Sequence, residues 1–197
     1  MTIVYSGEGA KGKVIVNIPV ERVGVLIGSK GRIRKRIEEN TNTRISVDSE
    51  AGEVTIIPRE GATIINIEIA RRIVEAIGYG FNAEDSLRLL DENLILDVID
   101  LKDFFRRRED IVRIKGRIIG ERGKFRRTLE EMTGVRVSIY DRYVAIIGEY
   151  EYVRIVREAI KMIISGRQHK TVLNFLRREI SAVERRRITE LWYERET

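Results

Sequence analysis

Two glycine-x-x-glycine turns contain the residues of this sequence whose type and spacing could bind a ligand. They are Gly28-Ser29-Lys30-Gly31 and Gly120-Glu121-Arg122-Gly123. Because glycine has no Cβ, such a turn can bring backbone N–H groups close to a ligand at the N-terminus of the next helix. That end of a helix is positive, so the turns favour an anion, and next to basic side chains a phosphate backbone.

Basic side chains follow both turns directly. Between Arg113 and Arg127, seven Lys or Arg stand against one acid, Glu121, and this excess of six equals the formal net charge of the chain. We expect phosphate contacts from these charges rather than a merely solvated helix face. The basic residues expected to contact RNA are Lys30, Arg32, Arg34 and Lys35 in the first copy and Arg117, Arg122, Lys124, Arg126 and Arg127 in the second.

The turns belong to a module that occurs twice, since the similarity extends well beyond the glycines. The matching segments are 27–37 with 119–129, 44–47 with 136–139, and 54–57 with 144–147. A closing helix that ends at Gly80 in the first copy corresponds to one that ends at Gly166 in the second. Two copies of one structural unit explain this pattern best.

Hydrophobic periodicity predicts the elements that position each turn. In the first copy these are a strand over 14–18, a short helix over 20–27, a helix after the turn, a hairpin of 44–47 and 53–57, and a helix over 64–77. In the second copy we expect an opening strand over 94–101 and an extra approach helix over 102–108. Each module is thus α+β, with three helices on one face of a three-stranded antiparallel sheet.

The chain divides into four parts on this reading. Residues 1–80 form the first module with an N-terminal strand, and 81–96 an acidic helical spacer. Residues 97–166 form the second module, and 167–197 a basic helical tail without a counterpart after Gly80. The glycine-rich residues 7–13 resemble nucleotide-binding loops, but a strand follows them and Val14 stands where a magnesium-binding Ser or Thr is needed. We therefore expect a connection there.

Composition excludes several functional classes. The chain has no Cys and one His, His169, so it offers no thiolate metal site and no nucleophile with a base; we expect neither catalysis nor a cofactor. No apolar run approaches membrane length, which predicts a cytoplasmic protein without membrane contact. Charged residues at 35% and the lack of Cys favour a thermophilic source.

An apolar residue before Gly-x-x-Gly, then a helix, a β-hairpin and a closing helix, resembles type I modules of the KH family of nucleic-acid-binding domains. The resemblance covers about 14–80 and 97–166. It implies that each turn clamps the backbone of about four nucleotides of single-stranded nucleic acid, through all four of its residues. It also implies an apolar groove for the bases, with Ile45 and Val47 on its floor in one module and Val137 and Ile139 in the other.

Three residues depart from the family pattern. Arg34 and Arg126 stand where the family has an apolar residue, and Ile33 and Phe125 lie one place earlier. Either the helix is slightly rotated or these arginines face the ligand. Glu121 places a carboxylate inside the second turn, where it should repel phosphate. Because more basic residues flank the second turn, we still expect the second module to bind RNA more strongly.

A closer resemblance rests on three further stretches together with the tandem arrangement. They are Gly78-Tyr79-Gly80-Phe81, Gly116-Arg117-Ile118-Ile119-Gly120, and Ser165-Gly166 followed by His169-Lys170-Thr171-Val172. The combination is similar to archaeal members of the Pno/Dim family of small-subunit ribosome-assembly factors, which is related to the Krr family. It implies binding to small-subunit rRNA near its 3′ end, beside a PIN-domain endonuclease, and association with the alpha subunit of initiation factor two.

Two other classes fit the same residues. One is a KH protein that acts on other RNAs, such as mRNA or the substrates of a decay complex. The other is a scaffold whose modules mainly bind protein.

Neither module alone buries a large core, so we predict that the two stabilise each other. Expressed separately, the two halves should unfold at lower temperature than the whole chain, as measured by circular dichroism. Two halves that each melt like the intact protein would contradict this prediction.

Overall fold

The computed structural model describes the backbone of residues 3–6 and 12–194. The chain forms two compact units, Met1–Leu96 and Asp97–Thr197. Each unit combines an antiparallel sheet with helices, so the predicted α+β class with two KH-type modules and a C-terminal helix is confirmed. The division of these units into modules, spacer and tail stays a prediction.

The described residues of the first unit form four strands and four α-helices. They are β1 (Ile3–Ser6), β2 (Lys13–Asn17), α1 (Val20–Ile27), α2 (Arg32–Thr41), β3 (Thr43–Asp48), β4 (Glu53–Pro58), α3 (Ile64–Gly78) and α4 (Ala83–Leu87). The sheet order is β1-β2-β4-β3, with all pairs antiparallel. The N-terminal strand β1 pairs with β2 and so adds a fourth strand to the predicted three. The glycine-rich residues 7–11 lie outside the described part of the chain.

Alternating apolar residues fix the side of the first sheet that faces the helices. Val14 and Val16 on β2 and Val54 and Ile56 on β4 are all buried, while their neighbours along each strand are more exposed. This period of two puts every apolar side chain of a strand on one face. The helices cover that face with fully buried side chains, Leu26, Ile37, Ile73 and Ile77.

Hydrogen bonds of side chains with the backbone begin and end several of these elements. Thr63 and Asn66 form a reciprocal capping box at the start of α3. At the β3–β4 turn the carboxylate of Asp48 accepts the N–H groups of Ala51 (3.0 Å) and Glu50 (2.9 Å). These two hydrogen bonds hold the pKa of Asp48 below its ordinary value.

The second unit repeats the arrangement with seven elements. They are β5 (Leu94–Asp100), α5 (Arg108–Ile119), α6 (Lys124–Thr133), β6 (Arg136–Tyr140), β7 (Tyr143–Glu149), α7 (Tyr150–Ile164) and α8 (His169–Glu194). Its sheet has the order β5-β7-β6, the same as β2-β4-β3. Leu101, Ile118, Leu129, Ile146 and Ile160 are fully buried in its core.

The predicted approach helix over 102–108 is wrong. The chain makes only a short 3-10 turn, Leu101–Asp103, because the Asp100 carboxylate accepts the N–H of Lys102 at 2.9 Å and so favours a turn. An α-helix, α5, then begins at Arg108. The helix before the second turn is therefore longer than α1 and includes Arg108, the last arginine of that basic run.

The tail helix α8 has a counterpart in the first unit, contrary to our expectation. Gly80 and Gly166 follow α3 and α7 with φ of 94° and 92°, and a helix starts three residues later in both cases. In the first unit that helix is α4, which ends at Leu87 and packs against α3. In the second unit it is α8, which continues to Glu194 and packs against α7.

One glutamate in each unit attaches the helix after the turn to the first strand of the hairpin. The Glu38 carboxylate accepts the N–H of Ile45 at 2.7 Å, and Glu130 accepts the N–H of Val137 at 2.9 Å. Because β3 and β6 are edge strands, these N–H groups point away from the sheet and need a partner outside it. The glutamates supply that partner.

We predict that Glu38→Ala and Glu130→Ala each lower the free energy of unfolding by about 1–3 kcal/mol, since each leaves a part-buried N–H without its acceptor. Urea denaturation followed by circular dichroism measures the loss. The neighbouring exposed residues provide matched controls, Glu39→Ala and Glu131→Ala, which should change little. If the control variants lose as much free energy of unfolding as Glu38→Ala and Glu130→Ala, the two glutamates do not stabilise the units by accepting these N–H groups.

Candidate nucleic-acid interface

The two turns have the same backbone conformation. Gly28 and Gly120 have φ/ψ of 68°/176° and 73°/175°. Lys30 has 53°/30° and its counterpart Arg122 has 49°/30°. The second glycines, Gly31 and Gly123, are left-handed at 74°/15° and 75°/13°. The repeat seen in the sequence therefore reproduces the turn itself, including a left-handed basic residue.

Each turn lies tightly on the helix that follows it. A Cβ built on Gly28 would lie 2.4 Å from Cγ1 of Ile33, and one on Gly120 would lie 2.6 Å from Cβ of Phe125. Only glycine allows so close an approach. Ile33 and Phe125 thus support the turns from below, one residue earlier than the family pattern suggests.

The outer side of each turn faces solvent. The N–H of the second glycine donates to the carbonyl of the first and closes each turn, at 3.1 Å in both copies. The side chains between the glycines are exposed: Ser29 and Lys30 in one, Glu121 and Arg122 in the other. A phosphate backbone could reach these turns without any rearrangement of the fold.

A groove of about 470 Å³ runs along the edge strand β3, between that strand and the helix α2 that follows the first turn. Its lining residues are Arg34, Glu38, Arg44, Ile45, Ser46, Val47 and Arg59. Ile45 and Val47, predicted as groove floor, both line it. Arg44, Ser46 and Arg59 were missed, although the alternation of β3 could have placed Arg44 and Ser46 on the surface. Val137, which is buried, and Ile139, which is half-buried, occupy the equivalent positions on β6.

The basic residues of the first module differ in their surroundings. Lys30, Arg32 and Lys35 are exposed, and they make no ion pair or side-chain hydrogen bond within the described residues. Arg34 is half-buried and lines the groove. All four predicted contact residues therefore lie at the turn, on α2 or beside the groove.

Several basic residues of the second module already hold backbone carbonyls. Arg117 donates to the carbonyls of Ile163 (3.0 Å) and Arg167 (2.6 Å), at the C-terminal end of α7. Arg127 donates to the carbonyl of Arg122 within the turn at 3.1 Å. Arg122 and Lys124 keep exposed side chains. The positive charge is present as predicted, but Arg117 stabilises the fold.

Arg22 of the first unit donates to backbone carbonyls at the end of α3, as Arg117 does at the end of α7 in the second unit. Its Nε donates to the carbonyl of Ile77 at 2.9 Å, and its guanidinium also contacts the carbonyl of Phe81. These are the carbonyls equivalent to those of Ile163 and Arg167. The two arginines lie at different distances from their turns, six and three residues before the first glycine, so the sequence repeat did not reveal the shared role.

The start of the tail helix packs beneath the second turn. The His169 ring stacks on Phe125 with centroids 4.2 Å apart and planes at 19°, and its Nε2 lies 2.8 Å from the Arg117 carbonyl oxygen. Phe125 is the residue that supports Gly120. The tail thus contributes to the position of the second turn, which sequence reasoning had not found because stacking across 44 residues leaves no local pattern.

Two family models match the chain. A model described as KH domain covers residues 13–76, and one described as eukaryotic type KH-domain, KH-domain type I, covers 95–181. None of the helices in the described part of the chain combines the length and the apolar character that a membrane span requires. Among the described residues there is also no cluster of three or more His, Cys, Asp or Glu suited to a metal ion.

Proteins of similar sequence align with most of the chain. A KH domain-containing protein of Methanocaldococcus jannaschii is 43% identical over 90% of this chain and 78% of its own length. The RNA-binding protein pno1 of Drosophila pseudoobscura is 28% identical over 87% of this chain and 73% of its own.

Solved structures agree with these relatives. A protein of unknown function from Aeropyrum pernix superposes with a TM-score of 0.90 at 39% identity, covering 94% of this chain and 100% of that one. A chain from the a/eIF2alpha-aDim2p-rRNA complex of Pyrococcus horikoshii superposes at 0.83 with 40% identity, covering 89% and 97%.

The fold, the paired turns and these matches define a tandem KH-domain protein. More closely, the chain belongs to the PNO1/Dim2 family of KH-domain proteins, as the resemblance predicted. The archaeal relatives, from Methanocaldococcus, Aeropyrum and Pyrococcus, confirm the prediction of an archaeal, thermophilic type.

We predict that Arg117→Met destabilises the second unit by about 1–3 kcal/mol, because two carbonyls lose a charged donor, without changing how RNA affinity depends on salt. Lys124→Met should do the opposite: unchanged stability and a smaller salt slope. Thermal unfolding and RNA titrations at several salt concentrations measure both. A reduced salt slope with unchanged stability for Arg117→Met would contradict its structural role.

Proposed function

We propose that this protein binds single-stranded RNA through its two turns, and that its target is small-subunit rRNA near the 3′ end during ribosome assembly. The observation that carries the proposal is the pair of turns with matching dihedral angles, each open to solvent and each with exposed cations beside it. The phosphate backbone meets the turn, and the bases enter the groove along the edge strand.

The relatives support the choice of RNA. One is named an RNA-binding protein, and another comes from a complex that contains rRNA and a/eIF2alpha. Extended to this chain, these names support rRNA as the target and the alpha subunit of initiation factor two as a partner. The choice of small-subunit rRNA rests on the family resemblance. We further propose that a PIN-domain endonuclease carries out any cleavage, that this protein is not itself an enzyme, and that it works in the cytoplasm.

The second module remains our choice as the stronger RNA-binding module, by a narrower margin than charge counting suggested. Glu121 repels phosphate in its turn, and Arg117 is held by carbonyls. Arg122 and Lys124 remain exposed there, against Lys30, Arg32 and Lys35 in the first module. Each exposed charge contributes on the order of 0.5–1 kcal/mol, so both modules should contribute measurably.

We predict that Arg122→Asp weakens binding of a single-stranded RNA oligonucleotide by about tenfold or more, because it puts two acids in one turn. Lys30→Asp should weaken binding by a smaller factor, and the double variant most. Fluorescence anisotropy at fixed salt measures the affinities. Lys102→Asp, which makes the same charge change outside both turns and grooves, is the control.

Two outcomes would contradict parts of the proposal. If the double variant binds as tightly as the unaltered protein, the turns do not clamp RNA. If the unaltered protein binds an oligonucleotide from the 3′ end of small-subunit rRNA no better than an unrelated one at moderate salt, RNA binding stands but the rRNA target fails. A larger loss for Lys30→Asp than for Arg122→Asp would reverse our ranking of the modules.

A further inference from the structure

The arginine three residues after each turn occupies a distinctive position. Arg34 lines the groove of the first module together with Ile45 and Val47. In both Arg34 and Arg126 the Nε atom is shielded from solvent and makes no hydrogen bond within the described part of the chain. An N–H group that is shielded from water and has no acceptor is costly, so the same situation at equivalent positions in two copies favours an acceptor on a ligand. The Arg126 side chain as a whole is 44% exposed, so a ligand can reach its guanidinium.

The nearby glutamates do not satisfy these arginines. Glu38 and Glu130 each use one carboxylate oxygen to accept an N–H of the edge strand. The other oxygen of Glu130 lies 3.8 Å from Nε of Arg126, too far for a hydrogen bond. It is close enough, however, to offset part of the positive charge. The guanidinium is thus better suited to donate N–H groups to a neutral acceptor than to attract a phosphate.

We propose that Arg34, in the groove along β3, and Arg126, at the equivalent position of the second module, each read a nucleobase and select one with two adjacent acceptors on one edge. A planar guanidinium donates two parallel N–H groups, which match O2 and N3 of cytosine or O6 and N7 of guanine. Adenine places an amino donor beside its ring acceptor, and uracil separates its two carbonyls by an N–H. The groove therefore favours cytosine or guanine over adenine and uracil. This inference rests on the proposed RNA binding.

The test compares four ten-nucleotide RNAs by fluorescence anisotropy: all-uridine, and uridine with one central cytidine, guanosine or adenosine. The strand can slide until its preferred base enters a groove. We expect the unaltered protein to bind the cytidine or the guanosine RNA at least about fivefold more tightly than the other two, the lower end of what one bidentate contact provides. The comparison of the cytidine RNA with the guanosine RNA shows which of the two bases is preferred.

The variants separate base reading from charge. The double variant Arg34→Lys/Arg126→Lys keeps both charges but loses the paired donors, so its preference should fall below about twofold with an unchanged salt slope. Arg36→Lys, at an exposed position on α2, is the matched control and should keep the preference. The single variants Arg34→Lys and Arg126→Lys show which of the two arginines is responsible for the base preference.

Two results would overturn the inference while the proposed function stands: equal affinity of the unaltered protein for all four RNAs, or a preference that survives in the double lysine variant. Failure of the unaltered protein to bind any of the four RNAs would instead refute RNA binding itself.

Discussion

The contact between the first glycine of each turn and the first apolar side chain of the next helix is the constraint on which the site depends. Gly28 lies against Ile33 and Gly120 against Phe125, at distances that leave no room for a Cβ. With the turn pressed onto the helix, the two intervening residues must point outward. The following residue is an arginine in both copies, and in the first unit it lines the groove along the edge strand β3. One packing contact thus orients both the phosphate-facing turn and the groove.

The two copies preserve interactions rather than residues. The carbonyls at the end of α3 and α7 are held by arginines from different positions, Arg22 and Arg117. The support of the second turn also differs, because His169 stacks on Phe125 where the first unit has no such ring. The role of a side chain is therefore better inferred from the backbone group to which it donates a hydrogen bond than from its position in the sequence repeat.

Most of the fold could be predicted from the sequence, because turns, alternating strands and amphipathic helices leave local signals. The spans of α1, β2–β4 and α3 are close to the predicted ones, and Ile45 and Val47 do line a groove. Prediction from local sequence signals failed where contacts with distant backbone groups determine the role of a residue. Arg117 looked like a phosphate contact but holds carbonyls about 50 residues away. The wrong prediction for residues 102–108 has a local cause instead, because Asp100 caps a 3-10 turn there.

The most direct test of the account is an NMR titration of the isotope-labelled full chain with a single-stranded RNA oligonucleotide. If RNA binds at the turns and the edge strands, the largest backbone amide shifts fall on residues 28–32 and 120–124 and on β3 and β6. These are the turns and the edge strands that border the grooves. Shifts confined to α8 or to the outer faces of the sheets, with both turns unaffected, would contradict it.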